Sequence, residues 1–147
     1  MKYSFWKDIK KVTGDISKAE DDPKKQLALL TNIDYIGISI ASAILTWCYP
    51  DDFTVSDYRA FNSLIKLLDG RFSDVKKKLP QDLPGLYEYI NKYQKRKTNG
   101  KPNNINDITE NVYFEYLKVC KELAEKLSFS LRDFDRMLWG MDFYDGD

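Results

Sequence analysis

The sequence predicts an all-α fold, a compact multi-helix domain over residues 1–147, and three observations carry that prediction. Apolar residues recur at three- and four-residue spacing through most segments, the pattern of helices that each bury one face. Helix-start residues stand ahead of those segments at Asp22-Pro23, Ser56-Asp57 and Ser130, and Gly14 and Gly70 stand behind two of them. No strand-rich region and no internal repeat interrupts the series.

Taken in order, Phe5, Ile9 and Val12 share a helical face with Trp6 beside them, and Gly14 is expected to end a short first helix. Asp22 caps a second helix with Pro23 at its first position and Leu27, Leu29 and Leu30 on its buried face, ending near Thr31. A tight connection, Asn32–Ser39, contains Gly37, where a sharp turn calls for positive φ. Ile40, Ala41, Ala43, Ile44 and Trp47 then form an apolar helix, so that residues 23–48 read as helix, hairpin, helix. Tyr49-Pro50-Asp51-Asp52 breaks that helix and Phe53-Thr54-Val55 is extended. Ser56 or Asp57 caps the next helix, which carries Phe61, Leu64, Ile65 and Leu68 and stops at Gly70. A brief helix over Ser73–Lys78 is punctuated by Pro80 and Pro84, and an aromatic helix follows with Leu86, Tyr87, Tyr89, Ile90 and Tyr93. Residues 98–107 form a surface loop. The longest helix runs from about Ile108 to Leu127, and Ser130 with Asp133 starts a last one carrying Phe134, Met137 and Leu138. Trp47, Trp139 and most tyrosines are expected in the core.

Composition bounds the chemistry. At 43% hydrophobic and 14% aromatic residues the chain has enough apolar surface to exclude a disordered protein. Cys48 and Cys120 lie far apart and there is no histidine, so neither a zinc site nor an iron–sulfur cluster has its ligands. No metal and no cofactor are expected, and both thiols read as buried and free. The missing histidine also removes the usual general base near neutral pH. The segment MKYSFWKDIKK has no apolar run that could act as a signal, and no stretch is long enough to span a bilayer. A cytoplasmic location with no membrane partner is therefore the expectation. The formal net charge of zero denies the chain a global positive field for gathering phosphates. Its charge is nevertheless uneven, because Lys92, Lys95, Arg96, Lys97 and Lys101 form a basic run without an intervening acid. That run both complements the helix dipole and offers a local patch for nucleic acid.

Residues 33–61, IDYIGISIASAILTWCYPDDFTVSDYRAF, resemble the core of the helix-hairpin-helix base-excision DNA glycosylase superfamily. Gly37 matches the second glycine of that family's hairpin, and Asp57 matches its catalytic aspartate. Ser39 stands eighteen residues ahead of Asp57, the step at which lyase-active members carry a lysine nucleophile. A serine forms no Schiff base, so the resemblance implies a monofunctional, non-lyase activity or none. Tyr35 replaces the first hairpin glycine. The implied function is a DNA-associated domain resembling a reduced glycosylase. It would bind the DNA backbone through Gly37, Ile38, Ser39 and Ser42, with help from Arg59, Lys92, Lys95, Arg96, Lys97 and Lys101. In the catalytic version Asp57 stabilises the charge developing on the sugar as an extruded base departs. In the structural version Asp57 and Ser39 are helix caps and Arg59 pairs with a nearby carboxylate. The alternative function is a noncatalytic module that binds a protein partner through its helical scaffold.

Overall fold

The computed structural model describes the backbone of residues 5–100 and 104–144 and, within them, the side chains from Lys10 to Met141. Eight helices make up the described fold: α1 (Phe5–Lys18), α2 (Pro23–Thr31), α3 (Ile38–Cys48), α4 (Tyr58–Asp69), α5 (Ser73–Asp82), α6 (Pro84–Thr98), α7 (Glu110–Lys126) and α8 (Leu131–Tyr144). The all-α prediction holds, and no strand occurs among the described residues.

Short polar side chains start four of these helices by taking up amides that the first turn leaves orphaned. Asp22 accepts the Lys25 N–H at 3.0 Å, Asp57 that of Ala60 at 2.8 Å, and Thr109 that of Val112 at 3.3 Å. Ser130 accepts the Asp133 N–H at 3.1 Å and donates its hydroxyl to the same residue's carboxylate at 2.7 Å. The start of α6 lacks such a cap, and Glu115 of α7 supplies one from outside by accepting the Leu86 N–H at 2.6 Å. Gly85 permits that approach, since a Cβ there would lie 3.1 Å from the same carboxylate.

Two expected breaks do not occur. α1 passes through Gly14, because one glycine in a helix costs only about 1 kcal/mol and the buried Ile16 and Ala19 beyond it hold the chain against the core. α5 passes through Pro80 to Asp82. That proline stands in the last turn, and the buried Val75 and Leu79 with the Leu83 N–H to Leu79 carbonyl bond at 2.8 Å anchor the helix around it.

Helix α4 packs on α5 and α8, α7 on α6 and α8, and α2 on α1 and α3, so buried side chains form one cluster reaching from Ile16 to Leu138. Phe61 sits within it with three tyrosines around it: Tyr89 and Tyr93 meet it edge-on at 5.4 and 5.2 Å, and Tyr116 stacks at 6.0 Å. Burial pushes the Tyr113, Tyr116 and Cys120 groups well above their ordinary pKa values, which keeps this interior neutral. Cys120 is the buried thiol the composition suggested, whereas Cys48 is exposed at the end of α3.

The segment 53–56 is non-helical and almost wholly buried, so its polar groups need partners from other elements. Tyr113 and Tyr116 of α7 donate to the Thr54 and Val55 carbonyls at 3.0 and 2.8 Å. Asp135 of α8 accepts the Thr54 hydroxyl at 2.6 Å and the Val55 N–H at 2.7 Å. Ser42 of α3 accepts the Ser56 N–H at 3.0 Å. Side chains of three helices thereby do the work of a neighbouring strand, and they fix the direction in which Asp57 enters α4.

Candidate functional site

The connection between α2 and α3 turns on Tyr35, whose φ is 70°, and Tyr35 is 98% exposed. This corrects the expectation for Gly37, which lies at φ −86° and ψ 178° in extended backbone and forms the N-cap of α3. No side chain caps that helix, so its first amides lack a side-chain acceptor, and a helix N-terminus in that state suits an anion. Ser39 is consequently the second residue inside α3, not its cap. Ser42 is fully buried, donates to the Ser39 carbonyl at 2.9 Å and accepts from Ser56, so the expected phosphate contact at Ser42 is corrected to a structural role. The Ile38 side chain is buried as well, leaving only its backbone for a ligand.

Beside this N-terminus runs the 104–109 loop that precedes α7. Asn106 and the buried Ile105 line a hollow of about 280 Å³ together with Tyr35, Gly37 and Ser39. The next residue, Asp107, accepts from Lys92 at 2.9 Å, from Arg96 Nη1 at 2.9 Å and from the Tyr89 hydroxyl at 2.9 Å, with a second Arg96 contact through Nη2. The Arg96 guanidinium and Lys92 ammonium hold the Asp107 carboxyl well below the usual carboxylate range, and burial with the same carboxylate raises Tyr89. The basic run therefore does have an acid partner, contributed by the loop. Lys95 and Lys97 remain exposed on the same helix end, and Lys101 lies outside the described residues.

A second feature is a groove of about 900 Å³ between α3 and α8. One wall carries Ser39, Ile40, Ala43, Ile44 and Trp47, and the other carries Arg132, Arg136, Trp139 and Gly140, with Thr46, Val55, Asp57 and Asp135 between them. The groove thus brings Ser39 and Asp57 to one cavity. Trp47 is 81% exposed and Trp139 is also exposed, which corrects their expected places in the core, and Ile40 is exposed beside them. Both oxygens of Asp57 accept protein donors: one holds the Ala60 N–H and the other accepts the Trp139 indole N–H at 3.0 Å. Arg59 lies over the rings of Tyr58 and Trp139 at 5.6 and 5.0 Å and donates from Nε to the Tyr58 hydroxyl at 3.0 Å. Trp139 is the tryptophan whose indole N–H reaches Asp57.

Sequence reasoning missed Asp107, Arg132, Asp135 and Arg136. Asp135 left a readable signal, because Leu131, Asp135 and Leu138 share one face of α8 and an acid in an apolar stripe marks a buried carboxylate. Asp107 left none, since its partners sit eleven to eighteen residues away across a loop. Among the described residues no cluster of three or more histidine, cysteine or carboxylate side chains could hold a metal ion, and no helix is long and apolar enough to cross a membrane. The chain matches no family model, no curated protein and no solved structure.

Proposed function

We propose that this chain is a DNA-associated helix-hairpin-helix domain that grips the phosphate backbone and carries out no base excision. The reading rests on one observation, the shared neighbourhood of the uncapped α3 N-terminus and the basic end of α6, joined through consecutive residues Asn106 and Asp107. Uncapped helix amides and a cationic helix end side by side suit successive phosphates. Exposed Tyr35 offers a ring for an unpaired base at the same place. Asp57 acts as a cap and as the acceptor for Trp139 in this proposal, because each of its oxygens accepts a protein N–H.

The test is fluorescence anisotropy of labelled single-stranded, duplex and abasic-site DNA at two salt concentrations. Binding should weaken steeply with salt, by roughly one power of salt concentration per phosphate contacted. Gly37→Asp, whose carboxylate would occupy the α3 amides, and the triple replacement of Lys95, Arg96 and Lys97 by alanine should each abolish it. Asp107→Asn removes a competing negative charge and should tighten it. Absence of binding at low salt would sink the proposal, and base release abolished by Asp57→Asn would replace it with a glycosylase.

A further inference from the structure

Of the large apolar side chains among the described residues, Tyr35 is the most exposed, at 98%. It stands in a closed turn, in which the Ile36 N–H donates to the Ile33 carbonyl at 3.1 Å and both isoleucines pack against the core. Positive φ at the third residue of such a turn ordinarily selects glycine or asparagine, yet this position carries a ring at φ 70°. Neither burial nor backbone conformation accounts for a tyrosine there. Because the turn is anchored at both ends, the ring projects from a fixed backbone with only its own two torsions left to order on binding. Beside it the hollow of about 280 Å³ continues past Gly37, where an added Cβ would meet nothing within 4 Å, to the exposed Asn106, whose amide can both donate and accept. One residue further, Asp107 ties this wall to α6, on which Lys95 and Lys97 are exposed. An open aromatic face, then an amide, then cations match a base followed by its phosphates.

Duplex DNA has little use for such a ring, because its bases are stacked on both faces and one must be drawn out at a cost, whereas an unpaired base presents its face freely. Asp34 is exposed beside the ring and repels phosphate from the tip itself. We infer that this site takes single-stranded DNA in preference to duplex. One base stacks on Tyr35 with its edge hydrogen-bonded by Asn106, and the adjoining phosphates lie on Lys95 and Lys97. The inference rests on the DNA-binding reading and adds to it the class of strand and the side chain that selects it.

Anisotropy of the full chain with three labelled probes of equal length tests it: an oligo-dT strand, the same strand with abasic tetrahydrofuran units in place of its bases, and an oligo-dA·dT duplex. The dT strand should bind about tenfold more tightly than either of the others. Tyr35→Phe keeps the ring and should keep that preference. Tyr35→Ala, and Tyr35→Gly, which also relaxes the turn, should bring the dT strand down to the affinity of the abasic one. Neither should alter the salt dependence, whereas alanine at both Lys95 and Lys97 should lower its slope by about one to one and a half. Asn106→Ala should weaken binding of the dT strand and leave the abasic strand unchanged. Equal affinity for the dT and abasic strands, tighter binding of the duplex, or a dT preference that survives Tyr35→Ala and Tyr35→Gly would overturn the inference and leave the DNA-binding reading standing. Absence of binding to all three probes at low salt would overturn both.

Discussion

Tyr35 is held in the left-handed region at φ 70°, a conformation that L side chains occupy at a cost of about 1–2 kcal/mol. Nothing in the fold compensates for that cost, since the ring is exposed. Tyr35→Gly should therefore raise stability by up to about 1 kcal/mol, read from the midpoint of urea unfolding, and it should weaken single-stranded DNA binding if the ring stacks on a base. Asp57 makes the opposite case, a residue whose local contacts account for it. Asp57→Ala removes the acceptor of both the Ala60 amide and the Trp139 indole and should cost about 1–2 kcal/mol. Asp57→Asn keeps one oxygen for the amide and should cost less. Equal unfolding midpoints for all three proteins would remove the capping role. The identity of Asp57 as a cap was legible from its place ahead of an apolar-periodic run, whereas its bond to Trp139 spans 82 positions and no local pattern encodes it.

At the scale of elements, Asp107 pins the 104–109 loop to α6 through Lys92, Arg96 and Tyr89. Its carboxyl is held below the ordinary range, so the folded state binds this proton less readily than the unfolded chain does. The stabilisation is complete above the unfolded value of about 4 and is lost as pH falls through the lower folded one. The urea midpoint of the wild type should drop between pH 6 and pH 3 by more than that of Asp107→Ala, and indifference of that difference to pH would exclude the lock. The ends of α2, α4 and α8 follow from Asp22, Asp57 and Ser130, whose short side chains act on amides three residues away. The continuations of α1 through Gly14 and of α5 through Pro80 do not follow, because burial of Ile16, Ala19 and Leu79 against distant partners outweighs the local preference to stop.

For the molecule as a whole, the aromatic cluster around Phe61 joins α4, α6 and α7. Phe61→Ala should destabilise the protein by about 3–5 kcal/mol, with loss of near-ultraviolet dichroism on heating at a lower temperature. An effect under about 1 kcal/mol would mean that the three tyrosines close the gap without it. The 53–56 segment gives the second whole-molecule link, because α3, α7 and α8 all meet on it. Asp135→Asn should leave the helices formed and loosen that segment, seen as faster amide exchange at Val55 and Ser56.

The sequence by itself determined the helical class, the order of the helices and the caps that start several of them. Apolar periodicity and capping act over one or two turns and leave a local record. Only the tertiary structure decided which side of α3 faces outward, that Ser39 and Asp57 share a groove with Trp139, and that the basic end of α6 is tied to Asp107 beside the α3 N-terminus. Those relations depend on how whole helices pack, and the apolar stripe of Ile40, Ile44 and Trp47 reads the same in sequence whether it meets a core or a cavity.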